Sequence, residues 1–443
     1  MTTIADLPEM AGLDARRGLV RIPPELDVPI TSRVRRLIDT APFRRLARIS
    51  QLGLVSLVYP AALHTRFEHA LGVYRLALVY LKQLCQDERF TATVAPADAE
   101  LFLVAALLHD IGHWPFCHPI EDIRLRGVPT HERFANSFLL SGEVADVLRT
   151  DWRIEPSDVV ALLSEKPHDK KGRILASLLS GPIDVDKTDY LMRDSLHAGV
   201  PYGRNFDQGR LIGSLCLNEA GDSLAISEKG KTAAEMMVFA RYVMFSEVYW
   251  HHSVRAATAM LQRAFFMLHD TLDLERLFHQ TESRFVEELQ AAADGGPAYE
   301  LVDGLFGETR RLYKRVAQYS FFEQRELYER LARRPYPWLA ACAEQFASLA
   351  AEALGHAVQP HEILFDAPPM AREVEFNIDV LFIKEGRYRP LGEVSPVVRA
   401  LAERQFDDYV KRVRIFAPAR LAAELRGFES LPQLLDQAIG QVS

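Results

Sequence analysis

His109 and Asp110 stand side by side at the end of an apolar run, Leu101 to Leu108, and His113 and His118 lie within the next nine residues. A carboxylate at the buried end of such a run is costly unless something cationic compensates it, and a metal ion is the simplest compensation. Two further segments supply what a mononuclear site would still lack. Arg66-Phe67-Glu68-His69 lies upstream and Asp184-Val185-Asp186-Lys187 downstream. His69, His109, Asp110 and Asp186 would then offer two imidazoles and two carboxylates. That mixed set suits one divalent transition ion (Mn, Fe, Co, Ni or Zn) better than Mg, which prefers oxygen and water. His-Asp also occurs at His168-Asp169 and His269-Asp270, but only His109-Asp110 has the apolar run before it and Gly112, His113 and His118 after it. The chemistry expected is metal-dependent phosphoester hydrolysis.

Other side chains fit the same reaction. His118 and Glu121 are three apart, so the carboxylate can hold the imidazole and raise its pKa, as a general acid for an alkoxide leaving group requires. His113 and His131 can donate hydrogen bonds to a phosphate, and His131 opens a helix whose N-terminal dipole favours an anion. From Asp186 onward, Asp189, Tyr190, Arg193, Asp194 and His197 recur on one helical face, opposite Val185, Leu191, Met192 and Leu196. That polar stripe is expected to face water or a cleft.

The elements that must position these residues are mostly helices. Helical spacing of apolar residues marks Ser32 to Ile38, Pro42 to Ile49, Arg66 to Leu84, Asp98 to Leu108, His131 to Leu140, Asp184 to His197 and a long stretch from Lys231 to Leu272. Leu211 to Glu228 alternates around Ala220-Gly221-Asp222, which predicts a short β-hairpin. After Gly355 the texture changes: Glu373 to Ile383 alternates, Val413 to Phe416 forms a later strand, and helices are expected over Val397 to Tyr409 and Ala419 to Leu425. The fold class is therefore mainly α, with a short hairpin and a small α+β C-terminal unit. The expected division is an irregular segment over 1–30, a phosphohydrolase core over 31–275, a helical extension over 276–355 and the α+β unit over 356–443.

The bulk numbers exclude some classes. Of 443 residues 48% are hydrophobic and 25% charged, with a formal net charge of -8. That charge argues against a broad cationic face for long nucleic acid, while one phosphate pocket needs only a few local cations. Four scattered cysteines without a CxxC indicate neither a disulfide framework nor a thiolate zinc site. Met1 to Met10 lacks the pattern of a signal peptide, and the apolar runs are too short or too interrupted to span a bilayer. A cytoplasmic protein without membrane partners is expected.

The ordered set Arg66…His69, His109-Asp110 and Asp186 resembles the HD-domain metal phosphohydrolases. More narrowly, His64-Thr65-Arg66-Phe67-Glu68-His69-Ala70-Leu71-Gly72-Val73, the stretch Leu107 to His118, and Ile183 to Asp194 resemble the deoxynucleoside triphosphate triphosphohydrolase branch. The likeness covers about residues 30 to 270. It implies an HD-type helical core, one divalent transition ion with additional Mg on the phosphates, and a homo-oligomer, dimer or tetramer. It further implies that water activated at the metal attacks the α-phosphorus. Arg66, His113 and His131 would meet the charge on the oxygens, and His118 would protonate the departing ester oxygen. Lys187 and Arg241 would hold outer phosphates, with Gln51, Leu52, Tyr190, Asp194 and Tyr249 against the nucleoside.

This chain departs from the branch at Arg44 and Ala47, where members with nucleotide-triggered assembly read a guanine activator, and at Thr188, where an aromatic residue is common. Activation by guanine nucleotides is therefore not expected. Two alternatives remain open. One is a phosphodiesterase, nucleotidase or exonuclease acting on another nucleotide or a nucleic-acid end. The other is a non-catalytic nucleotide sensor, which loss of a metal ligand would mark; none is lost here.

Overall fold

The structure, a computed structural model, describes residues 3–164, 167–370, 378–403, 408 and 410–442. Helices dominate it, with three small sheets among the described residues, so the mainly α expectation holds. The chain forms two compact units. The first draws on Met1–Trp114, Thr130–Met244 and Glu375–Glu403, and the second on Pro115–Pro129, Phe245–Val374 and Arg404–Ser443.

Three helices make the frame of the first unit. Arg66–Leu84 packs against both Pro96–Leu108 and Val185–His197. The middle one is apolar nearly all round, and Phe102 through Leu108 are buried without exception. A helix with no polar face belongs in the core. It therefore delivers His109-Asp110, the pair directly after Leu108, to a fixed buried point.

The expected hairpin is present as Leu215–Leu217 paired with Leu224–Ser227, Leu215 opposite Ile226. Asn218 shapes its turn, its side-chain oxygen accepting from the backbone N–H groups of Asp222 and Ser223. The hairpin is half of a four-stranded sheet. Leu224–Ser227 pairs in parallel with Asp379–Phe382, which runs antiparallel to Arg387–Pro390. The first part of the alternating stretch from Glu373 lies outside the described residues. Val413–Ala417 instead sits at the centre of a three-stranded sheet in the second unit, between Lys314–Tyr319 and Leu364–Asp366. Behind it lies an apolar core that includes Tyr328, Phe346 and Ile415.

Two stretches differ from their sequence reading. Residues 3–30 are not irregular: a helix spans Pro8–Gly12, and Leu19–Ile22 pairs with Leu26–Pro29. Pro23, Pro24 and Glu25 form the turn of that hairpin. The stretch from Lys231 divides into Lys231–Met244, a wider turn over Phe245–Tyr249, and His252–Leu268. The division falls where His251 leaves helical geometry and caps the next helix, Nδ1 accepting from the Ser253 N–H at 3.3 Å. No helix among the described residues is long and apolar enough to cross a membrane.

Candidate metal centre

Each helix of the frame delivers its side chains through its end. Thr65 caps Arg66–Leu84, its hydroxyl accepting from the Glu68 N–H at 3.3 Å, so Arg66 and His69 fall in the first turn. Asp184 caps Val185–His197 in the same way, accepting from the Lys187 N–H at 2.6 Å, which puts Asp186 in that first turn. His109 closes Pro96–Leu108 and Asp110 comes directly after it.

Four potential ligands converge in this unit. His69 Nε2 lies 3.2 Å from His109 Nε2, 3.0 Å from Asp186 Oδ1 and 3.9 Å from Asp110 Oδ2. His109 Nε2 lies 3.5 Å from Asp110 Oδ1 and 3.8 Å from Asp186 Oδ1. The other ring nitrogens are already committed. His69 Nδ1 is 2.9 Å from Asp189 Oδ2, and His109 Nδ1 is 2.9 Å from the Ala106 carbonyl oxygen. Since these partners only accept, each Nδ1 carries a proton, and a ring in its neutral form presents its Nε2 lone pair. Two such lone pairs 3.2 Å apart, beside two carboxylates, repel one another unless a positive charge sits among them.

The electrostatics agree. Burial alone would lower the His69 pKa, yet the Asp186 and Asp189 carboxylates raise it to about 10, so without an ion the cluster takes a proton. Burial disfavours the charged form of Asp110, but His113, Arg66, His109 and His69 hold its carboxyl well below the usual range. Two imidazole nitrogens and two carboxylates, each imidazole fixed by an oxygen acceptor on its far side, are the donor set of a divalent transition-metal site. The residues fit the ion.

Around this core the structure brings together Arg66, His113 and His131. Arg66 Nη1 donates to Asp110 Oδ2 at 2.8 Å, while its buried Nε has no partner among the described residues. His113 Nδ1 is 3.1 Å from Asp110 Oδ1, and the His113 and His131 rings lie 3.9 Å apart. Gly112 permits that approach, because a Cβ there would stand 2.1 Å from the His131 carbonyl oxygen. Arg45, which the sequence does not single out, holds the loop by donating Nη2 to the Ile111 and His113 carbonyl oxygens, each at 2.9 Å.

The polar stripe after Asp186 is a correction. Asp189, Arg193 and Asp194 do not face water or a cleft; all three are buried. Asp189 contacts His69 and Arg193, Arg193 also contacts Glu68, and Asp194 Oδ1 meets His64 Nε2 at 2.9 Å. Asp186, Tyr190 and His197 of the stripe stay partly exposed, as do Met192 and Leu196 on the opposite face, so only part of the stripe turns inward. Only the i, i+4 spacing of Asp189 and Arg193 signals the pairing in the sequence. Lys187 Nζ donates to Asp184 Oδ2 at 2.6 Å, and burial pushes the Asp184 carboxyl up to about 7 although Lys187 opposes the shift. Thr188 fills its place with Tyr80, the two hydroxyls 2.9 Å apart.

The remaining expected residues divide between the units. Tyr190 is half-buried on the Asp186 helix, and Arg241 is buried on Lys231–Met244. Gln51 and Leu52 are half-buried. Gln51 donates its N–H to the His64 carbonyl oxygen at 2.9 Å, and its buried side-chain oxygen has no partner among the described residues. His118, Glu121 and Tyr249 belong to the second unit. His118 is exposed, with Nδ1 3.6 Å from Glu121 Oε2, and Tyr249 packs edge-on against Phe245.

Helical frame, HD dipeptide and outlying histidine and aspartate together define the HD class of metal phosphohydrolase. Residues 66–194 match the HD domain and residues 206–430 the HD associated region, and the chain belongs to this family. An uncharacterized protein of Methanocaldococcus jannaschii is 30% identical over 404 residues, covering 90% of this chain and 79% of its own length. The human deoxynucleoside triphosphate triphosphohydrolase SAMHD1 is 26% identical over 441 residues, covering 88% of this chain and 66% of that protein. The crystal structure of a hypothetical protein from Aquifex aeolicus has a TM-score of 0.69 at 28% identity, covering 92% of this chain and 98% of that one.

Proposed function

We propose that the protein hydrolyses deoxynucleoside triphosphates to deoxynucleoside and inorganic triphosphate. The observation that carries the metal-dependent part is the meeting of the His69 and His109 Nε2 atoms, 3.2 Å apart, with Asp110 and Asp186. A bound divalent ion would supply Lewis acidity toward water and a phosphoryl oxygen. His69, His109, Asp110 and Asp186 would hold it. Arg66, His113 and His131 offer N–H donors to the non-bridging oxygens, where charge grows as the phosphorus is attacked. The triphosphate assignment rests on Lys187 and Arg241 as cations for the outer phosphates and on the likeness to SAMHD1. Gln51, Leu52 and Tyr190 are assigned to the nucleoside, whereas Asp194, expected beside them, is buried against His64 and supports the site from behind. The resemblance adds His118 with Glu121 as proton donor to the ester oxygen, and Tyr249 at the nucleoside.

The test is anion-exchange analysis of products after incubating the protein and Mn²⁺ with each of the four dNTPs. Inorganic triphosphate and deoxynucleoside in equal amounts are expected. Intact dNTPs beside a cleaved monophosphate or oligonucleotide would move the substrate elsewhere within the superfamily. His118→Ala should slow turnover by about 10²–10⁴-fold while leaving bound metal unchanged. A normal rate would remove His118 from the proton-donor role.

A further inference from the structure

His69 is held from both sides by one helix. Asp186 faces its Nε2 at 3.0 Å, and one turn later Asp189 Oδ2 faces its Nδ1 at 2.9 Å. Asp189 is in turn fixed by Arg193, whose Nε and Nη2 donate to the two carboxylate oxygens at 2.7 and 2.8 Å. Arg193 Nη1 donates to Glu68 Oε1 at 2.7 Å and to the Pro23 carbonyl oxygen at 3.0 Å. His197 Nε2 reaches the same Glu68 oxygen at 2.9 Å. The arrangement needs a gap in the facing helix: a Cβ on Gly72 would lie 2.1 Å from Asp189 Oδ1 and 2.3 Å from Arg193 Nη2. Alanine is otherwise the better helix former at an interior position.

From this geometry we infer that Asp189, braced by Arg193 and Glu68 in the space left by Gly72, is the positioning residue that selects the metal-binding tautomer of His69. The inference rests on the metal-centre reading above. An ionised carboxylate only accepts, so beside it Nδ1 must carry the proton, which leaves Nε2 as the nitrogen an ion can take. An amide at position 189 could instead donate to Nδ1, leaving a proton on Nε2 where the ion would sit. Ion pairing with Arg193 keeps Asp189 charged, and the shared helix moves ligand and positioning residue together.

The experiment titrates the full chain with Co²⁺, reading the visible d–d absorption and the dissociation constant, with thermal melting as the fold control. Asp189→Asn should bind about 10–100-fold more weakly with a changed d–d spectrum, and Asp189→Glu should recover part of the loss. A role confined to folding would lower the melting temperature and leave affinity and spectrum unchanged. Gly72→Ala carries the test if Asp189→Asn does not fold; its improved helix propensity leaves displacement of Asp189 as the cause of weaker Co²⁺ binding. Parental affinity in Asp189→Asn or Gly72→Ala, with binding abolished in Asp186→Ala, overturns the positioning role alone. Parental affinity in Asp186→Ala, or no Co²⁺ binding by the parent, overturns the metal centre and the inference with it.

Discussion

Asp366 in the second unit and Asp110 in the first are both buried carboxylates, each with an arginine in hydrogen-bond contact. Their surroundings differ in one respect. Arg255 grips Asp366 with Nε at 3.1 and 3.2 Å and Nη2 at 2.5 Å, and buried Arg414 stands opposite it on the next strand, so this carboxylate is fully compensated. Around His69, four carboxylates (Asp110, Asp186, Asp189 and Glu68) share two guanidiniums, Arg66 and Arg193. With the imidazoles neutral, as ligation of an ion requires, two negative charges are left over. A buried carboxylate compensated by arginine is architecture, whereas an excess of negative charge matching a divalent ion marks a site.

The largest effect should come from removing part of that excess. Asp186→Ala is expected to reduce turnover by about 10³-fold or more, since several kcal/mol of metal-derived stabilisation are lost. Bound metal measured by elemental analysis should fall with it. Full turnover and full metal content in this variant would sink the ligand assignment.

Asp366→Ala should behave in the opposite way. It strands Arg255 as a buried unpaired charge, at a cost of about 3–5 kcal/mol, read as a clear drop in melting temperature. Stoichiometric metal binding by the folded fraction should persist. Replacing both partners with apolar residues of similar volume should recover most of the stability, because a closed pair is largely replaceable. Failure of the double variant to recover would mean that Asp366 does more than neutralise Arg255.

A third contrast uses the ion as ligand. Mn²⁺ at a free concentration about 100 times its dissociation constant should stabilise the parent by about 2.7 kcal/mol through mass action. The Asp366→Ala variant should show the same gain, and Asp186→Ala none. Calorimetric scans with and without chelator read this directly, and an equal gain in Asp186→Ala would place the ion elsewhere.

The convergence of His69, His109, Asp110 and Asp186 was legible because these residues carry strong local signals. The apolar run into His109-Asp110 announces a buried helix ending in charged groups, and Thr65 and Asp184 announce the two helix starts that present His69 and Asp186. The supports of those ligands were not legible. Arg45 acts on the backbone of a loop more than 60 residues away, and Glu68 meets Arg193 across 125 residues. Spacing within one segment cannot report such partners. The stripe from Asp186 to His197 misled for a related reason: polar periodicity marks a face unlike the rest of the helix, and water is only one environment that such a face can meet. The hairpin of Leu19–Ile22 and Leu26–Pro29 escaped because strands of four residues joined through two prolines leave almost no alternation to detect.

The smallest predicted effect separates the regions most finely. Thr65 caps the helix whose first turn holds Arg66 and His69, and Asp273 caps Leu274–Phe278 in the second unit, accepting from the Arg276 N–H at 3.1 Å. Replacing either cap by alanine should cost about 1 kcal/mol of stability, so by melting temperature the two variants should look alike. Their metal affinities should not. Fraying after Thr65→Ala loosens the turn that carries His69, and a ligand that samples more conformations binds more weakly; Asp273→Ala frays a helix that bears none of the four ligands. A Co²⁺ titration of both variants should therefore show weaker binding only for Thr65→Ala. Equal affinities would mean that the brace through Asp189 and Arg193 holds His69 in place even when its helix end is released.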